Sequence, residues 1–140
     1  MQTMVIVKNN MARPVGYSVP VGSGATPVTK TKRLIPGPNE VPLDEFERAT
    51  KKSREWAMWR SLNNIELVHA KGSDGAGTAL ATLAPELAKS LVSETFDVDL
   101  LKKWIDHETR PAIRESLRKR AQYLEREYKS RVKADNLGVE

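Results

Sequence analysis

Apolar residues come in short runs over the first seventy positions. Beyond Lys71-Gly-Ser-Asp-Gly-Ala-Gly77 they recur at helical spacing almost to the end. Thr3-Met-Val-Ile-Val7 is apolar and β-branched and stops at the turn pair Asn9-Asn10, which predicts a strand. Val15-Gly-Tyr-Ser-Val19 alternates and then meets a proline, as a short edge strand does. Residues 20–32 have no apolar period and predict an extended or mobile loop. Lys32-Arg-Leu-Ile35 predicts a third strand, closed by a turn at Pro36-Gly37-Pro38-Asn39.

Leu43, Phe46, Ala49 and Thr50 share one side of a predicted helix. Ser53 is placed to cap a second helical piece carrying Trp56, Met58, Trp59 and Leu62. Asn63-Asn64 ends that piece, because Asn tolerates the left-handed conformation that stops helices. Ile65-Glu-Leu-Val68 alternates as a last strand, giving the order β-β-β-α-α-β with the two neighbouring tryptophans in a small core.

Residues 71–83 read as a Gly-rich linker and 84–134 as a helical region, with a short tail at 135–140. Pro85 suits a first helical turn, followed by Leu87, Ala88 and Leu91 on one face. Asp97 is placed to cap a helix carrying Leu100, Leu101, Trp104 and Ile105, which Arg110-Pro111 should interrupt. Thr109 is a cap candidate for the last helix. There Ile113, Leu117, Ala121, Leu124, Tyr128 and Val132 form one stripe over about 22 residues. Two short helices cannot cover such a stripe, so part of it is expected to meet another chain. The fold class is α+β: a small β-rich unit over 1–70 with a short aromatic helix, then helices ending in a long amphipathic basic one.

The 140 residues are 39% apolar, enough for one modest core or two small ones. There is no cysteine, so neither a disulfide nor a thiolate metal site can brace the fold. No apolar run approaches the roughly 20 residues of a membrane helix, so no membrane contact is expected. Met1 to Asn10 has no basic leader followed by an apolar stretch, which argues against a signal peptide. The net charge of +5 is uneven: +4 over residues 1–42, +1 over 43–71, −3 over 72–110 and +3 over 111–140. Positive ends around an acidic middle can steer toward an acidic surface or toward another copy of the chain.

Met4-Val-Ile-Val-Lys-Asn9, Leu34-Ile-Pro-Gly-Pro-Asn-Glu-Val41 and Asn64-Ile-Glu-Leu-Val68 resemble the small proteins encoded in head-gene clusters of tailed bacteriophages, Mu-like ones in particular. Leu91-Val-Ser-Glu-Thr95, Leu100-Leu-Lys-Lys-Trp104 and Glu108-Thr-Arg-Pro-Ala-Ile-Arg114 are similar to the helical tail of that group. The resemblance implies a capsid-associated virion protein without chemistry, with the major capsid protein as partner and many copies per particle. It implies location in the virion, and in the host cytoplasm during assembly. The chain departs from the group's shortest members in the Val21–Lys32 loop and in the extended basic helix, so a position in the particle does not carry over.

The residues themselves recommend no enzyme. Asp106-His107-Glu108 does not converge on a helix, where neighbours point about 100° apart, and reads as a solvated helix end. On a strand, Glu66 and His69 fall on opposite faces. Ser23, Ser73 and Ser93 lack the G-x-S-x-G elbow. The glycines at 22–24 and 72–77 lack the Lys-Ser/Thr of a phosphate loop. No catalytic, cofactor or metal residue is therefore assigned.

Two surfaces remain. The expected protein-binding residues are Val21, Thr29, Lys30, Lys32 and Arg33, on a loop laid as an arm over an assembly, and Ile113, Leu117, Leu124 and Tyr128 on the last helix. The expected alternative is nucleic acid held by Arg114, Arg118, Lys119, Arg120 and Arg126. Interleaved Glu115, Glu125 and Glu127 argue for a partly self-paired face, with Glu115–Lys119 and Glu127–Arg131 at helpful spacing. A position at the head–tail junction is the third expectation.

Overall fold

The computed structural model describes residues 3–21, 28–68 and 75–137. The fold is α+β. Strands β1 (Met4–Asn9), β2 (Val15–Val21), β3 (Val28–Leu34) and β4 (Gly37–Pro42) lead into helices α1 (Leu43–Lys52) and α2 (Arg54–Ser61). Strand β5 (Ile65–Val68), a 3₁₀ turn (Leu80–Thr82) and helices α3 (Pro85–Glu94), α4 (Val98–His107) and α5 (Pro111–Leu137) follow.

β1 is the centre of the molecule. It pairs antiparallel with β4 on one side and β5 on the other, in the order β4-β1-β5. Its side chains alternate between two cores. Val5 and Val7 join Phe46, Trp56 and Ile65 under the β2–β3 hairpin and α1–α2. Met4 and Ile6 join Leu80, Leu101, Trp104 and Leu117 under the helices. A strand buried on both faces is apolar at consecutive positions rather than alternate ones, which is what Met4-Val-Ile-Val7 is.

β4 was not expected; Pro36 to Asn39 reads as a turn. It is an edge strand, and its parity explains the two prolines. The Leu43 N–H donates to the Thr3 carbonyl at 2.9 Å, so residues 37, 39 and 41 turn their backbone groups toward β1. Pro38 and Pro42 have the opposite parity, and their missing N–H groups fall on the open edge.

In the aromatic core, Trp56 meets Tyr17 edge-on at 5.5 Å, Phe46 at 6.3 Å and Trp59 at 6.0 Å. Its indole N–H donates to the Gly16 carbonyl, which ties α2 to the hairpin. Ser53 ends α1 and caps α2 by accepting the Trp56 N–H. Asn63 stops α2 with φ of 59°. Asp97 caps α4 through the Leu100 N–H. In α3, Ala88, Leu91 and Val92 face the core, and Leu87 turns outward.

The arm expected over 20–32 is strand at each of its described residues. β3 begins at Val28 and pairs with β2 in register from Val15↔Leu34 to Val21↔Val28, while residues 22–27 lie outside the described ones. The linker reading also changes. His69 and residues 70–74 lie outside the described residues, but 75–83 dock onto the helical core, with Ala79 and Leu80 fully buried.

Two carboxylates hold that docked stretch. Glu40 on β4 accepts the N–H groups of Gly77 at 2.5 Å and Ala79 at 2.9 Å, and the Trp104 indole N–H at 3.2 Å. Glu108 grips the Arg110 guanidinium at 2.7 and 3.0 Å, and Arg110 in turn donates to the Leu83 and Leu80 carbonyls. Glu108 is therefore buried structure, not the solvated helix end that the sequence suggests.

Candidate docking surfaces

The 27 residues of α5 outrun the core beneath them. Ile113 and Leu117 are wholly buried against α3 and α4, and Ala121 is the last of the stripe to be buried. Both leave the expected partner surface, because the chain's own helices cover them. Leu124 is half-buried at the edge of the core. Tyr128 and Val132, one and two turns further, are 70% and 40% exposed.

The α3–α4 turn lends this free half a second wall. Phe96 from the turn and Val98 at the start of α4, with Tyr123, Leu124 and Tyr128 from α5, line an open groove of about 550 Å³. Arg120 holds Phe96 in place. Its guanidinium lies 5.2 Å from the Phe96 ring and 5.3 Å from the Tyr123 ring, and its Nε–H donates to the Thr95 carbonyl at 2.9 Å.

That geometry thins out the phosphate-contact set. Arg120 is engaged as just described, and Arg114 donates to the Ile105 and Glu108 carbonyls at 2.7 and 2.9 Å. Arg118 and Lys119 both lie beside Glu115, at 3.6 and 4.0 Å. Of the five, Arg126 alone makes no such bond among the described residues, and it is exposed. The expected Glu115–Lys119 pair forms, whereas the expected Glu127–Arg131 pair does not. Glu125 reaches across to Lys102 at 3.2 Å instead.

The second surface is the β2–β3 hairpin. Val15, Tyr17, Val19 and Leu34 face the core, and Ser18, Thr31 and Arg33 face outward. Lys30 is exposed as well. Lys32 is not available to a partner, because it donates to both Glu45 oxygens, at 2.8 and 3.0 Å. The Tyr17 hydroxyl donates to the same carboxylate at 3.3 Å. Burial first, and then the Glu45 charge and hydrogen bond, push the Tyr17 phenol above its usual range. Val21 and Thr29 stand in the paired strands near the hairpin tip.

Between β4 and the start of α4 lies a further cleft of about 430 Å³ with a mixed-charge mouth that includes Arg33, Asp99 and Lys103. Among the described residues no cluster of His, Cys, Asp or Glu is arranged to hold a metal ion. No described helix is long and apolar enough to cross a membrane. No family model, curated protein or solved structure matches the chain.

Sequence reasoning missed Phe96. The signal was an apolar residue at 96, outside any predicted helix and directly ahead of the Asp97 cap. An apolar residue there commonly packs back on its own helix, whereas Phe96 lies beside Arg120 of α5 instead.

Proposed function

We propose that this chain is a non-enzymatic virion protein of a tailed bacteriophage, bound to the capsid shell as a decoration or minor head protein. The observation that carries this reading is the β2–β3 hairpin. It is anchored at its base by Trp56, carries Thr31 and Arg33 outward, and leaves Lys30 exposed beyond the core on its other face. Among the described residues its two strands pair only with each other, so each leaves one edge open. Open edges and the exposed bases Lys30 and Arg33 suit strand addition and polar contact with an acidic protein surface. The shell is the partner implied by the resemblance in Met4–Asn9, Leu34–Val41 and Asn64–Val68.

The mechanism is binding in many copies across subunit boundaries, so that opening the shell must also break these contacts. The test is quantitative mass spectrometry of purified particles of the phage or prophage that encodes the chain, with labelling to locate it. On the order of hundreds of shell-bound copies support the reading. Occupancy should then fall sharply in a Lys30→Glu, Arg33→Glu variant. About a dozen copies or fewer would move the protein to the head–tail junction. Absence from particles would overturn the virion reading and return nucleic acid to consideration.

A further inference from the structure

We infer that the free half of α5 pairs antiparallel with the same helix of a second copy, about a two-fold axis at Tyr128. This goes beyond the shell reading and stands or falls without it. The apolar stripe runs on from Ala121 through Leu124, Tyr128 and Val132 after the chain's own core has ended. A helix face of this kind is stable only when something covers it.

The charges beside the stripe say what covers it. Along α5, successive residues turn by about 100°, so Glu125 and Lys129 flank one side of Tyr128, and Glu127 and Arg131 flank the other. On each flank the acid precedes the base. In an antiparallel pair with the axis at Tyr128, each flank meets the same flank of the other copy running backwards. Glu125 then lies within two residues, about 3 Å of axial rise, of Lys129 of the second copy, and Glu127 equally near its Arg131, each twice by symmetry; these four attractive contacts outnumber the Lys129–Lys129 and Glu127–Glu127 approaches at the same stagger. An in-register parallel pair would set one flank against the other in the same direction, so that the like-charged Glu125–Glu127 and Lys129–Arg131 approaches, two of each, outnumber the two Glu127–Lys129 contacts at the same stagger.

The inner ends of these pairs are free to serve. Glu127, Lys129 and Arg131 make no ion pair among the described residues, and Glu125 holds Lys102 only at the exposed surface. Val132 of the second copy would lie opposite Leu124, at the mouth of the groove walled by Phe96 and Val98. The match is self-complementary in both charge and apolarity, which a surface for an unrelated partner has no reason to be.

The test uses the full chain in sedimentation equilibrium. Wild type should show a mass double that of the 15.7 kDa chain at micromolar concentration. A Glu125→Lys, Glu127→Lys variant has only bases on both flanks and should be monomeric, as should Lys129→Glu, Arg131→Glu, which has only acids. Mixed in equal amounts, the two variants should restore the dimer as a heterodimer. All four positions are exposed or half-exposed, so circular dichroism should match wild type in each variant.

Orientation is read from spin labels on Arg118→Cys, the chain having no other cysteine. Ten residues from the axis on each side, the labels should sit on the order of 30 Å apart along an antiparallel pair, and far closer in a parallel one. A wild-type monomer up to about 100 µM would overturn the inference, as would a dimer indifferent to both charge variants or a short label separation.

Discussion

The Glu40 carboxylate on β4 accepts the indole N–H of Trp104 on α4 at 3.2 Å, across sixty-four residues of sequence. The same group also takes the backbone N–H groups of Gly77 and Ala79. One side chain thus joins the sheet, the docked stretch after β5 and the helical core. Removing it leaves three donors without an acceptor, and hydrogen bonds to a charged group are the costly ones to lose. We expect Glu40→Ala to lose about 2–4 kcal/mol in urea unfolding, and Glu40→Gln less. A loss below about 0.5 kcal/mol, the size of a neutral surface change, would mean that water replaces the carboxylate.

Gly37 opens β4 at φ of 91°, against the end of α3. A Cβ there would stand 2.6 Å from the Glu94 carbonyl oxygen and 3.2 Å from the Phe96 ring. Gly75 has nearly the same φ, 92°, with none of the described residues within 4 Å of the added carbon. The two positions separate backbone strain from collision. Gly75→Ala should cost about 1–2 kcal/mol, the left-handed penalty alone. Gly37→Ala should cost at least about 2 kcal/mol more, because backbone must move. Equal unfolding midpoints for the two variants would show that α3 yields freely at Glu94.

A chain with a Gly-rich linker between β-rich and helical halves would unfold in two steps. The shared strand argues otherwise. Ile6 is fully buried in the helical core, while its neighbours Val5 and Val7 are buried in the aromatic one. Ile6→Ala should therefore cost about 2–5 kcal/mol. It should lower hydrogen-exchange protection at Ile65 and at Leu101 together. If protection falls at Leu101 alone, the halves fold independently and the linker reading was right.

Local punctuation was legible because it depends on neighbouring residues only. Ser53, Asp97, Asn63 and Pro111 each sit where their own chemistry requires. What the sequence hid depends on distant partners. β4 looks like a turn until β1 shows which edge its prolines face. Residues 75–83 look like a linker because their anchors, Glu40 and Arg110, lie far away in sequence. The stripe on α5 was visible in full, but periodicity cannot say where the chain's own core stops. Ile113 and Leu117 were thus grouped with Tyr128, although they lie under α3 and α4.

The Glu108–Arg110 fork gives the fold its expected acid sensitivity. Burial alone would raise the Glu108 pKa, but side-chain and backbone hydrogen bonds from Arg110, its charge and the Thr109 N–H together hold it below the ordinary value of 4.5. A carboxyl whose folded pKa is depressed contributes stability that is fully present above its unfolded pKa. That contribution is lost as pH falls through the folded value. The window thus opens near pH 4.5 and extends downward. Urea midpoints for wild type should fall through this window more steeply than those of Glu108→Gln. The variant should be the weaker of the two at pH 7, by about 1–3 kcal/mol, since it loses the charge that holds Arg110 over the Leu80 and Leu83 carbonyls. Below the window the two curves should converge. Parallel curves over the whole range would mean that other carboxylates set the acid limit and that the fork contributes packing alone.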